Sequence, residues 1–187
     1  MRKIVFLMAL LSNLAFANSE LERQCNNGDT GSCVDLGYLY FKGDGVKQDY
    51  KKTNDLWSKA CEMGEASGCY YLGILYHNGQ SVRKDYKKAS ELYNKACEMG
   101  YARGCNNLGV LYEYGEGVRQ DYKKANELWI KACDMGVASG CYSLGNSYAF
   151  GQGVRQDYSI AMRLYGMACE MGSQSGCDAY KIIKSYL

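Results

Sequence analysis

Two cysteines with seven residues between them, in CEMGEASGC at 61–69, recur every 36 residues as CEMGYARGC (97–105), CDMGVASGC (133–141) and CEMGSQSGC (169–177). A degenerate first copy, CNNGDTGSC, occupies 25–33. A period of 20–50 residues signals a solenoid, in which each unit buries its apolar face only against its neighbours. The repeat sets the architecture before any single residue is considered.

Aligning the chain on itself at this offset gives four full units, 30–65, 66–101, 102–137 and 138–173, with a leading half-unit at 18–29 and a capping segment at 174–187. In the second unit, Leu72, Leu75 and Tyr76 recur at helical spacing, which predicts a first helix over roughly 68–78. Gly79 is placed to end it. Gly73, repeated as Gly37, Gly109 and Gly145, costs about 1 kcal/mol relative to alanine inside a helix, so a second helix should cross closely there. The second helix is expected over about 85–99, opened by Asp85 and striped by Ala89, Leu92, Tyr93 and Ala96. Gly100 sits where a left-handed residue ends a helix. Strand-like alternation and proline are both absent from the sequence. The expected fold is all-α, a right-handed α/α solenoid of helix–turn–helix repeats closed by a trailing helix over 178–187.

The first 17 residues, MRKIVFLMALLSNLAFA, have a basic start, an apolar stretch and a small-x-small ending. That is the layout of a signal peptide with cleavage after Ala17, leaving 18–187 as one domain that is secreted or periplasmic. Removing Arg2 and Lys3 from the 22 basic residues leaves 20 against 20 acidic ones. Without a positive field, nucleic acid is not an expected partner. No other stretch reaches the roughly 18 apolar residues that a membrane helix needs.

All ten cysteines follow the leader. In an exported chain an even number at fixed spacing reads as a disulfide framework. Zinc sites favour pairs two to four residues apart with histidines, whereas the chain has only His77, so no metal or other cofactor is expected. The first cysteine of each pair ends a second helix and the other opens the next first helix, with the chain reversing between them. The expected bridges are Cys25–Cys33, Cys61–Cys69, Cys97–Cys105, Cys133–Cys141 and Cys169–Cys177, each a lock at a corner of the superhelix.

The run LGILYHNGQSVRKDYKKASELYNKAC and its copies resemble the Sel-like repeats, relatives of the tetratricopeptide repeat. With the cysteine pair and the leader added, the chain is similar to the Helicobacter cysteine-rich protein family. That resemblance implies a secreted, disulfide-locked α/α solenoid. It also implies penicillin binding or weak β-lactamase activity and contact with host immunity.

The residues give a hydrolase little support. The one Ser-x-x-Lys match, Ser81-Val82-Arg83-Lys84, has its serine at a turn position that is Gly45, Gly117 and Gly153 in the other units, and no Ser-Asp-Asn or Lys-Thr-Gly accompanies it. The catalytic residues of such an enzyme are therefore unassigned. Positions that vary between units point instead to binding, on the premise that they are free of packing duty. If the first helices line a concave face, it carries Val34, Tyr38 and Phe41, then Tyr70, Ile74 and His77, then Asn106, Val110 and Glu113, then Tyr142, Asn146 and Ala149. An aromatic, amide-rich groove of this kind suits a peptide or protein ligand, host-derived or peptidoglycan-related, bound by a monomer.

Overall fold

The computed structural model describes residues 18–80 and 82–186. The proposed leader, Ala17 included, and Ser81 lie outside the described residues. Among those described, all regular structure is helical: α1 (18–26), α2 (Thr30–Lys42), α3 (Tyr50–Glu62), α4 (Ala66–Asn78), α5 (Tyr86–Glu98), α6 (Ala102–Tyr114), α7 (Tyr122–Asp134), α8 (Ala138–Phe150), α9 (Tyr158–Glu170) and α10 (Gln174–Lys184). Even-numbered helices from α2 to α8 open a repeat and odd-numbered ones from α3 to α9 close it. The result is an α/α solenoid with a period of 36 residues. The chain divides between Lys84 and Asp85 into two compact units. The first holds α1 to α4 and the second α5 to α10; successive helices pack on one another from α2 to α4 and from α5 to α10.

The helix ends follow from specific side chains. Asp49, Asp85, Asp121 and Asp157 are the N-caps of α3, α5, α7 and α9, and each carboxylate accepts a backbone N–H about one turn on, at 3.0 Å from Lys52, Lys88, Lys124 and Ile160. Such caps satisfy donors that a first turn leaves orphaned. At the other end of α6, Gly115 adopts φ +70 and its N–H returns to the carbonyl of Leu111. The short loop that follows is pinned by a glutamine. Gln48, Gln120 and Gln156 donate through Nε2 to the carbonyls of Phe41, Glu113 and Ala149 at 2.7–2.9 Å, and to the phenols of Tyr50, Tyr122 and Tyr158 at 2.9–3.1 Å.

The pairs α2–α3, α6–α7 and α8–α9 are each held at one close crossing. A β-carbon added at Gly109 would lie 2.6 Å from Nε1 of Trp129, and one added at Gly145 would lie 2.6 Å from Cε1 of Tyr165. Glycine is required there because an aromatic ring of the second helix lies flat on the backbone of the first. Trp57, Trp129 and Tyr165 are all buried at this place in their repeats.

Five bridges, Cys25–Cys33, Cys61–Cys69, Cys97–Cys105, Cys133–Cys141 and Cys169–Cys177, join the end of one repeat to the start of the next, with Cα atoms 4.4–4.7 Å apart. A lysine from the following repeat adds a polar tie: Lys59 Nζ donates to the carbonyl of Cys25 at 3.0 Å and Lys131 Nζ to that of Cys97 at 3.1 Å. These contacts place a cation at a helix C-terminus, where the macrodipole favours it.

The last helix starts at Gln174, the first residue expected of the capping stretch 174–187: Ser173 caps it, its hydroxyl oxygen accepting the Gly176 N–H at 3.1 Å. It keeps the residues that face α9, with Gly176 and Ile183 buried. Where the other opening helices carry the crossing glycine, α10 carries Lys181, exposed to solvent.

Gly109→Ala is expected to destabilise the second unit by about 1–3 kcal/mol, the usual cost of overpacking, read from the shift of the chemical denaturation midpoint. Replacing Cys133 and Cys141 together by serine opens a loop of about nine residues and should cost about 2.5 kcal/mol in the same measurement.

Candidate functional site

In the first unit, the varying positions are drawn into an aromatic cluster. Phe41 lies 5.5 Å from the Trp57 ring and 5.6 Å from Tyr50, centroid to centroid. Tyr71 stacks on Trp57 at 5.1 Å and bridges outward to Tyr70 at 5.2 Å and Tyr38 at 6.4 Å. The ammonium of Lys42 sits 5.5 Å above Phe41 and 5.7 Å above Tyr38. Val34 is buried, and its carbonyl accepts the Trp57 indole N–H at 3.1 Å. Ile74 and His77 are half-buried on α4, with His77 Nδ1 3.0 Å from Asn78 Oδ1.

In the second unit the same kind of position again does structural work. The Asn106 carbonyl accepts the Trp129 indole N–H at 3.3 Å, and its side-chain oxygen accepts from the Ser139 hydroxyl at 3.1 Å. Val110 packs against the Trp129 cluster. Glu113 is half-buried, and desolvation holds its carboxyl above the usual carboxylate range. Ala149 is buried. These varying positions therefore also pack: the backbone carbonyls of Val34 and Asn106 meet the equivalent tryptophan in their repeats, while the side chains they carry differ.

Of these residues, Tyr142, Asn146 and Ala149 are brought together on one wall of a pocket of about 600 Å³. Phe150, at the end of α8, extends that wall. Helix α9 contributes Tyr158 and Tyr165, and α10 closes the far side with Ala179, Ile182, Ile183 and Tyr186. Phe150 and Tyr186 form an open rim, 72% and 83% exposed. Among the described residues, no charged side chain lines the pocket. Its size falls within the range of ordinary ligand sites, and its character, apolar walls with a few polar groups, is that of such sites.

The inner polar groups are tied to one another. The Tyr165 phenol donates to Asn146 Oδ1 at 2.7 Å, which leaves the amide nitrogen as the donor end of that side chain. The Tyr165 ring lies 5.7 Å from that of Tyr142. Burial, and then the neighbouring Tyr142, push the Tyr165 phenol up to about 12, so it stays protonated and keeps donating at any ordinary pH. Trp57 and Trp129 occupy the equivalent place in two other repeats and donate to a backbone carbonyl instead. The smaller tyrosine turns its donor to a side chain.

Reading only the first helix of each repeat misses Tyr158, Tyr165, Ile182, Ile183 and Tyr186. One signal was present, since tyrosine replaces tryptophan at 165; another was the pair of isoleucines in α10. Among the described residues, no group of three or more His, Cys, Asp or Glu side chains is placed to hold a metal ion, and no helix is long and apolar enough to cross a membrane.

The Sel1 repeat pattern matches residues 31–65, 66–101, 102–137 and 138–173, most of the chain. This chain belongs to the Sel1 repeat family. A protective antigen of uropathogenic Escherichia coli with an SLR fold is similar at 34% identity and a TM-score of 0.82, over 86% of this chain and 34% of that one. A Sel1 repeat protein from Oxalobacter formigenes is similar at 27% identity and a TM-score of 0.82, over 87% of this chain and 66% of that one. Cysteine rich protein B of Helicobacter pylori is similar at 31% identity and a TM-score of 0.58, over 70% of this chain and 94% of that one. The Sel1 chain thus spans about a third of the E. coli protein it matches. No curated protein sequence matches it.

The raised pKa gives a direct check. A phenol that ionises later in the folded state contributes stability that is complete below pH about 10, its unfolded value, and is lost as pH rises through about 12. Absorbance titration should show one phenol ionising last, near 12. Tyr165→Phe, which keeps the ring over Gly145, should lack that step.

Proposed function

We propose that this Sel1 repeat chain is an extracytoplasmic binding scaffold, and that the pocket between α8, α9 and α10 receives a bulky uncharged side chain of a peptide or protein ligand. The pocket carries the reading. Aromatic and aliphatic walls exclude water from an apolar group, while the Asn146 amide nitrogen and the tyrosine hydroxyls offer hydrogen bonds to a peptide backbone. The absence of charge among the lining residues disfavours a lysine, arginine or carboxylate at this place. Buried apolar anchors of this kind dominate the energy of protein recognition.

Five disulfides and the leader-like first 17 residues support a location outside the cytoplasm, secreted or periplasmic, with cleavage after Ala17. Likeness to a protective antigen and to a Helicobacter pylori cysteine rich protein supports the same side of the membrane. The ligand is host-derived or peptidoglycan-related, and the scaffold acts as a monomer.

The test is a set of amide chemical-shift titrations of the oxidised mature chain with N-acetyl amides of phenylalanine, leucine and lysine. The two uncharged probes are expected to bind with Kd on the order of 1 mM, corresponding to about 4 kcal/mol, with shifts confined to α8, α9 and α10. The lysine probe should bind at least about tenfold more weakly. Tyr165→Trp, which fills the pocket, should abolish the response. Equal response to all three probes, or none, overturns the reading. Nitrocefin turnover by the same preparation, lost in His77→Ala, would replace it with a hydrolase.

A further inference from the structure

One methionine lies between the two cysteines of four of the five bridges: Met63, Met99, Met135 and Met171. Each is the residue that ends the closing helix of its repeat. All four are between 37% and 44% exposed, unusual for so apolar a side chain at a recurring structural position. Met162 and Met167, by contrast, are half-buried and packed against the core.

Two of these side chains, Met63 and Met171, lie against the preceding junction of their own compact unit. Met171 Sδ lies 3.8 Å from Cys141 Sγ, a sulfur of the bridge one repeat earlier. In the first unit, Met63 Cε comes within 3.9 Å of the β-carbon position of Gly28, inside the loop closed by Cys25–Cys33. Each compact unit thus has one methionine against the preceding junction, by a different contact in each. Exposed thioether covers buried disulfide, since Cys25, Cys33 and Cys141 are at most 1% exposed.

A thioether is a two-electron reductant of peroxides. The sulfur lone pair attacks one peroxide oxygen, the O–O bond breaks, a sulfoxide S–O bond forms, and water leaves; sulfur is oxidised and the peroxide reduced. From exposure and placement we infer that Met63, Met99, Met135 and Met171 are oxidant-reactive thioethers, and that Met63 and Met171 take up peroxide oxygen ahead of the bridges they lie against, Cys25–Cys33 and Cys133–Cys141. The sulfoxide is polar, and at these half-exposed positions it meets water, so the fold tolerates it. The modification is of the kind that methionine sulfoxide reductases reverse. The inference is independent of the binding pocket.

The experiment treats the oxidised mature chain with graded hydrogen peroxide and locates oxygen by peptide mass mapping. The expected result is gain of one oxygen at each of the four positions, about 64 Da in all, several-fold faster than at Met162 and Met167, with the helical circular dichroism unchanged. Similar rates at all six methionines, or loss of helix in step with the first oxygens, overturns the proposal. A variant with leucine at all four positions (Met63→Leu, Met99→Leu, Met135→Leu and Met171→Leu) separates shielding from mere exposure. Its Cys25–Cys33 and Cys133–Cys141 bridges should break at a peroxide dose several-fold lower than in the parent, and equal doses would refute the shielding.

Discussion

Everything in this solenoid hangs on an aromatic ring pressed against a helix backbone. With glycine at 109 and 145, the opening helix offers a bare surface on which Trp129 and Tyr165 lie, and a single methyl group would collide with either ring. The contact sets how near the two helices of a repeat approach. It also removes the largest apolar side chains from water, which is the main favourable term in folding. The price is a glycine inside a helix at each crossing, with its weaker helix propensity. The ring's polar edge then selects a partner on the opening helix, and that choice differs between repeats. Trp57 and Trp129 reach backbone carbonyls, while Tyr165 reaches the Asn146 side chain.

The crossing explains how the pocket arises. A tryptophan at 165 would extend over the place where Asn146 now meets the phenol; the smaller tyrosine leaves that volume open. Helix α10 then walls it with Ile182 and Ile183 rather than covering it with a full repeat, and Lys181 stands where the next ring would have needed glycine. The close crossing with a tyrosine at 165, walled by α10 instead of a full repeat, thus gives a concave site between α8, α9 and α10.

The corners are held differently. Each repeat has few partners, since it contacts only its neighbours, and a thin array exposes much surface for the core it buries. The five bridges act there by restricting the unfolded chain, and the Lys59 and Lys131 ammonium groups satisfy carbonyls that the preceding helix ends leave open. A disulfide framework belongs to oxidising compartments, so the same device that holds the fold also bears on where the protein works.

The 36-residue period, the aspartate caps, the crossing glycines and the cysteine spacing were legible in the sequence because each acts over a few residues and recurs. Repetition made those local rules visible several times over. The packing of Phe41, Asn106 and Val110 was not legible for a physical reason: a position can change its side chain while its backbone keeps the same contact, as Val34 and Asn106 both accept the indole N–H of their repeat's tryptophan. What the sequence determined by itself was therefore the helical repeat and its corners, through spacing and backbone preference. Which variable side chains converge into a pocket was decided only by the tertiary structure, because Tyr142, Tyr165 and Ile182 lie on three different helices and meet only when those helices pack.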